Sequence, residues 1–298
     1  MTEEKGVRRR RKWWVLGPLL VILTPLVIYS PFLVWEYTRP QPDVIPGSAP
    51  VSTAAAPWVV AIGNPTAYAG SPSHKLCVGT LVAPRAVVTA AHCLGVSAPS
   101  ELTVTIGRDD LRGNAGRVVK VADTWREPRF AKELTEETFF GGVFSRVNMA
   151  FGDIGLVTLA EPVDTPTLPM ADAASAPQAG APATVYGWRM SPDDVPVLWQ
   201  APTAVGSDTE CVRRAADSAR FMPPRWHGFS YDTASFLCVG TERAIRLRAT
   251  DSGSPVVVNG HLAGVAAWFP SADASAPDYY TRVAAFQPRL ASLIDNIR

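Results

Sequence analysis

The sequence predicts an all-β fold, a barrel or a sandwich, finished by one C-terminal helix. Three observations carry this. Short apolar runs rich in Val, Ile and Thr recur with turn residues between them. A helical period appears only at the C-terminus, where Phe286, Leu290, Leu293, Ile294 and Ile297 share one face. No solenoid-type repeat interrupts the body of the chain. The chain has 298 residues, 47% of them hydrophobic. That is enough apolar content to exclude disorder for most of it.

The first forty-odd residues differ in kind from the rest. Residues 1–44 hold seven basic against four acidic residues, and residues 45–298 carry 21 basic against 23 acidic residues. A near-neutral body gives no electrostatic ground for a nucleic-acid partner. Residues 1–12 end in the unbroken cation run Arg8–Lys12 and read as a cytoplasmic basic tail. Residues 13–35 contain no charge. Such a run is long enough to cross a hydrocarbon core of about 30 Å as a helix. Trp13, Trp14 and Trp35 stand at its two ends, where interfacial tryptophans belong. A single transmembrane signal-anchor is expected, with everything after it outside the cytoplasm. A cleaved signal peptide is the alternative. Glu36-Tyr37-Thr38-Arg39 follows the run, however, rather than a small-residue cleavage site. Residues 36–57, with Pro40, Pro42, Pro46, Pro50 and Pro57, read as an extended tether.

Beyond the tether the strand signals come in order. Leu76–Val82 and Ala86–Thr89 flank Ala83-Pro84-Arg85 as a hairpin, and Leu102–Ile106 and Val118–Val121 follow. In the second half stand Ala183–Tyr186, Pro255–Val258, the turn pair Asn259-Gly260 and His261–Val265. The segments around 126–148 and 212–235 read as insertions.

All four cysteines, Cys77, Cys93, Cys211 and Cys238, lie past the apolar run, and no C-x-x-C pair suggests zinc. Two disulfides are expected in an oxidising compartment. Three pairings are open. The sequential one keeps each bridge within one half of the body.

Three residues carry the chemistry. His92 sits in Thr89-Ala90-Ala91-His92-Cys93, behind small residues and beside a cysteine that can staple its loop. Asp153 opens the apolar stretch Ile154–Leu159, where a carboxylate needs something to accept its charge. Ser252 lies in Asp251-Ser252-Gly253-Ser254-Pro255, a turn composition that exposes a hydroxyl. A hydroxyl becomes a nucleophile when an imidazole takes its proton. A carboxylate then fixes the imidazole's tautomer and stabilises its charged form. His74, His227 and His261 have no such context and read as ordinary structural or surface histidines.

These motifs, in the order His, Asp, Ser, resemble the chymotrypsin/trypsin family of serine proteases over nearly all of residues 45–298. Pro57-Trp58-Val59-Val60, Tyr186-Gly187-Trp188, Ala267-Trp268 and Tyr280-Thr281-Arg282-Val283 add to the resemblance. It implies two antiparallel six-stranded β-barrels with the active site between them, and a protease domain over 58–298. It supports the sequential disulfide pairing. It also implies a serine endopeptidase acting on polypeptides through an acyl-enzyme, without metal or organic cofactor. His92 would be base then acid, Asp153 its orienter and Ser252 the nucleophile.

The backbone amides of Thr250 and Ser252 would form the oxyanion hole. Thr250 stands where the family has Gly, which motivates the alternative of an impaired homologue serving as an anchored binding module. Arg246 falls at the base of the primary pocket, with Asp278 and Phe269 on its wall in place of glycines. That pattern disfavours Lys and Arg substrates and leaves acidic and small side chains open. Ala267, Trp268 and Phe269 would pair with an extended peptide. In the family a freed Ile or Val terminus pairs with the Asp before the nucleophile, here Asp251. Ile45 is the matching residue, but Val44 precedes it and Pro46 follows. Either an activating protease cuts before Ile45 and releases the body, or the chain stays whole and another donor satisfies Asp251.

Overall fold

A computed structural model describes residues 47–67, 75–95, 97–133, 136–139, 144–147, 152–190, 196–221, 231–240, 251–268 and 277–297. The expected basic tail, transmembrane segment and first part of the tether lie outside these residues, as do Ile45, Arg246, Thr250 and Phe269. Among the described residues no helix is long and apolar enough to cross a membrane.

The first half supplies β1 (Ala49–Pro50), β2 (Val59–Gly63), β3 (Lys75–Ala83), β4 (Ala86–Thr89), β5 (Thr103–Ile106), β6 (Arg117–Arg126), β7 (Glu136–Phe139), β8 (Phe144–Val147) and β9 (Gly155–Leu159), with helix α1 (Pro128–Glu133) between β6 and β7. Strands β2, β3, β4, β9, β6 and β5 close into an antiparallel barrel in that order. Its interior is filled by Val60, Ile62, Leu81, Val87, Val104, Val119, Val121, Leu156 and Leu159, all buried. β6 shows why the pattern is legible. Val119 and Val121 point inward while Val118 and Lys120 are exposed, the period of two expected of a half-buried strand. β3 and β4 form the expected hairpin, with Ala83 opposite Ala86 across Pro84-Arg85.

The second half supplies β10 (Pro182–Met190), β11 (Pro196–Ala204), β12 (Phe236–Val239), β13 (Pro255–Val258), β14 (His261–Trp268) and β15 (Asp278–Arg282), with helices α2 (Asp208–Phe221) and α3 (Val283–Asp295). Here the observed sheet departs from a plain six-stranded barrel. Seven strands run in the order β1-β11-β10-β13-β14-β15-β12. The ring is completed by the single bridge Val205–Val239, with Gly206 N–H donating to Cys238 O at 2.8 Å and Gly240 N–H to Ala204 O at 3.2 Å. β10 occupies one whole edge of β11. The other edge is divided between β1, at Trp199 and Gln200, and the end of β12. The tip of the β13–β14 hairpin is Asn259-Gly260, both at positive φ, which suits a tight two-residue turn.

From Gly47 onward the segment expected to be a free tether is docked instead. Besides β1, Val51 N–H donates to Leu198 O, and the Asp109 carboxylate accepts from the Thr53 amide, the Thr53 hydroxyl and the Ser52 hydroxyl. Burial pushes the Asp109 carboxyl up, but the bonds from Thr53 and Ser52 together outweigh it and hold the group below its ordinary range.

Both disulfides follow the sequential pairing, Cys77–Cys93 and Cys211–Cys238. The second spans 27 residues and ties α2 to β12. Replacing both its cysteines by Ala is expected to lower unfolding free energy by about 3–4 kcal/mol through the unfolded chain's regained freedom. A urea titration should show a lower midpoint, with a slope at or above the parent's because the unlinked denatured chain is less compact. A midpoint within experimental error of the parent would contradict it.

Candidate active site

His92 is presented by a short 3-10 turn, Ala91–Leu94, directly after β4. Ala90 and Ala91 are fully buried, so the turn packs flat on the barrel. Gly155 at the start of β9 makes the room: a Cβ there would meet Leu94 Cδ1 at 2.7 Å and Trp125 O at 2.9 Å. The bond from Cys93 to Cys77 staples the turn to β3. The imidazole therefore sits on a stiff platform with about a third of its side chain exposed, at 36%.

Asp153 lies two residues before β9 and is 2% exposed. Both carboxylate oxygens serve His92. Oδ1 accepts the His92 backbone N–H at 2.9 Å, and Oδ2 lies 2.7 Å from ring Nδ1. The carboxylate so fixes the main chain and the ring together and places the Nδ1 proton, leaving Nε2 as the basic nitrogen. Burial pushes the His92 pKa down. The Asp153 charge and its hydrogen bond outweigh that and raise it above the ordinary 6.5. Thr281 on β15 donates to the Asp153 carbonyl at 2.9 Å, which fastens this loop to the second sheet. Thr281 belongs to a motif noticed in the sequence, but nothing local to it announces this contact.

Ser252 heads a tight turn clamped between the two halves. Its carbonyl accepts the Val78 N–H of β3 at 2.8 Å. On the other side Gly253 N–H donates to Ala266 O at 2.9 Å, and Ala266 N–H to Ser254 O at 2.8 Å. Ser254 N–H closes the turn on Asp251 O at 2.9 Å. Val78 adjoins Cys77, whose sulfur is bonded to Cys93 beside His92. The Ser252 turn and the imidazole are thus fastened to the same short stretch of barrel wall, by a main-chain bond and a disulfide rather than long side chains.

Gly253 is what permits the clamp. It has φ +82°, and a Cβ on it would overlap the Val78 carbonyl oxygen and the Thr89 hydroxyl, which itself donates to Val78 O. Gly253→Ala is expected to cost at least about 2 kcal/mol of stability from backbone strain and overlap. It should also displace Ser252 and abolish labelling by an active-serine probe. Labelling at the parent rate would show the turn tolerates the shift.

The remaining sequence candidates divide. Asp251 is fully buried and lies 3.9 Å from the Lys75 ammonium, a partner the sequence reading did not identify. Asp278 begins β15 and is 2% exposed, while Arg246, its expected neighbour, lies outside the described residues. Ala267 and Trp268 end β14. β15 pairs one edge there, and past Ala266 the other edge carries no strand among the described residues. Cys77, His92 and Cys93 bring three potential metal-ligating atoms within 4.8 Å, but both sulfurs are committed to the disulfide and no thiolate is available.

The chain is similar to known proteins over most of its length. The family model described as Trypsin matches residues 45–290. A trypsin of Saccharopolyspora erythraea is 30% identical over 248 residues, covering 80% of this chain and 93% of its own. Human kallikrein-7 is 28% identical over 280 residues, covering 91% and 94%. Among solved structures, the VesB protease of Vibrio cholerae superposes with a TM-score of 0.61 at 22% identity, over 85% of this chain and 68% of its own. A scabies mite inactivated protease paralogue superposes with a TM-score of 0.63 at 21% identity, over 82% and 98%.

Proposed function

Because the chain belongs to the trypsin family, we propose that His92, Asp153 and Ser252 are the catalytic residues of this serine endopeptidase. The observation that carries the assignment is the two-point grip of Asp153 on His92, at 2.9 and 2.7 Å. A carboxylate that only held the His92 turn would bond the backbone N–H and leave the ring nitrogen to another partner. Using both orients the imidazole and supports the charge it gains on taking a proton.

The Ser252 hydroxyl attacks the scissile carbonyl as Nε2 of His92 takes its proton. His92 then passes that proton to the leaving amine, and the acyl group remains on Ser252. Water repeats the sequence and frees the acid. The amides of Thr250 and Ser252 are assigned to the developing oxyanion. The edge of β14 at Ala267–Trp268 opposite β15, which carries no strand among the described residues, is assigned to the extended substrate, which adds as a strand. Arg246, Phe269 and Asp278 are assigned to the primary pocket, against a basic substrate side chain.

The uncharged run 13–35 behind five cations supports a single-pass anchor with the protease domain outside the cytoplasm. The two disulfides fit such a compartment.

A fluorophosphonate probe tests the catalytic reading. It should form a covalent adduct on Ser252 that disappears in Ser252→Ala. Absence of an adduct on folded protein would favour the rival reading, a binding module without turnover.

A further inference from the structure

The basic nitrogen of His92 has two sulfurs beside it. Cys93 Sγ lies 3.8 Å from ring Nε2. Cys77 Sγ, bonded to Cys93, completes three metal-ligating atoms within 4.8 Å of one another. Zinc bonds sulfur at about 2.3 Å and imidazole nitrogen at about 2.0–2.1 Å, so a tetrahedral centre holds sulfur and nitrogen about 3.6 Å apart. Cys93 and His92 already stand near that separation.

The ring is also prepared from behind. Asp153 Oδ2 lies 2.7 Å from Nδ1 and keeps the proton there. A carboxylate on the far nitrogen is what orients a metal-binding histidine, fixes its tautomer and raises its basicity. Both sulfurs are buried, whereas the His92 side chain reaches solvent. A centre built on the three would therefore turn its fourth position toward the open side, where water can fill it.

The bridge decides whether such a centre can form. While it is intact, neither sulfur is a thiolate. A dithiol reductant gives the bridge two electrons and two protons, leaves as its own disulfide, and frees two thiols. Zinc then displaces both thiol protons to solvent and takes two thiolates and the Nε2 lone pair. Because both sulfurs are buried, the exchange waits on opening of the His92 turn.

We propose that reduction of Cys77–Cys93 converts this corner of the active site into a zinc site made by Cys77, Cys93 and His92, with the metal on the nitrogen that must take the Ser252 proton. Loss of the bridge becomes a reversible shut-off by zinc. The shut-off rests on the reading of His92 as the general base; the binding does not.

The test uses the full-length chain, reduced by a phosphine that takes oxygen from water as it becomes its oxide, and then freed of it. Cobalt stands in for zinc, because its thiolate charge-transfer and tetrahedral ligand-field bands report the donors. The reduced chain should show both bands and the bridged chain neither. Cys77→Ser with Cys93→Ser should remove them, which separates this site from the sulfurs of Cys211 and Cys238. His92→Ala, folded with both bridges in place before reduction, should weaken cobalt binding at least about tenfold and move the ligand-field bands. Zinc at ten times its Kd should slow fluorophosphonate labelling of the reduced chain about tenfold, reversibly with chelator, and leave the bridged chain unaffected. A reduced chain without the bands, bands that survive both serine substitutions, or binding indifferent to His92→Ala would each overturn the inference while the catalytic reading stands. Binding through His92 with labelling unchanged would sink the role of His92 as base and the shut-off with it. A bridged chain that fails to label would sink the catalytic reading, and the cobalt bands would still decide the site.

Discussion

Ser252→Ala is expected to lower kcat on a peptide substrate by about 10⁴–10⁶-fold while leaving the fold in place. The size of the effect follows from what the substitution removes. The contacts that dock this turn are main-chain bonds, Val78 N–H to Ser252 O and Gly253 N–H to Ala266 O, and alanine keeps them. Only the hydroxyl goes. With no oxygen to attack, there is no acyl-enzyme, and His92 has no proton to accept. Residual rate comes from substrate alignment and oxyanion donors acting on water, roughly 10³–10⁴ over the uncatalysed reaction in serine proteases generally. KM should change little, because a peptide added along β14 does not bind through that hydroxyl. Initial rates on a cleavable peptide, with circular dichroism as a check on folding, measure both. A variant within tenfold of the parent would mean another group performs the attack.

What the sequence discloses and what it conceals have physical causes. His92 and Asp153 were legible because each sits in a short run whose composition is unusual for its element: two alanines before a histidine, a carboxylate before five residues of apolar strand. The C-terminal helix was legible because its face repeats at 3.6 residues, and Leu290 and Ile294 are indeed buried with Phe286, Leu293 and Ile297 against them. α2 was not legible. Only Cys211 and Ala215 of its described side chains are buried, and its surface is held by Glu210 with Arg213 and Arg214, a polar pattern that resembles a loop. β11 was hidden by Pro196 and Pro202, which demote a run as strand; Pro50 did the same for β1. Docking of residues 49–53 depends on β11 and on Asp109, all more than fifty residues away. Lys75 illustrates the limit. At the start of an apolar strand a lysine reads as a solvated end, and its burial is set by Asp251, which only the assembled halves bring near.

Asp153→Asn should cost about 10⁴ in kcat and shift the acid side of the pH profile downward. The carboxylate has two acceptor oxygens and uses both on His92, at 2.9 Å to the backbone N–H and 2.7 Å to Nδ1. An amide has one acceptor and one donor. If its oxygen keeps the backbone bond, its NH₂ faces Nδ1. The ring proton then moves to Nε2, the nitrogen that must be free to take the Ser252 proton.

The sign of the pH effect follows from the same pair. In the parent the His92 pKa stands above 6.5, because the Asp153 charge and bond outweigh burial. Catalysis needs the neutral ring, so kcat/KM falls as pH drops through that raised value. Stability runs the other way. The pair favours the folded state fully below the unfolded value of about 6.5 and loses that contribution as pH rises through the folded one. With asparagine the burial remains and the charge is gone, so the imidazole's pKa falls. The acid limb then moves to lower pH, and the stabilisation in acid is lost. Rate profiles and thermal melts of parent and variant between about pH 5 and 8 read both at once. An acid limb with an unmoved midpoint would show that some group other than Asp153 holds the charge on His92.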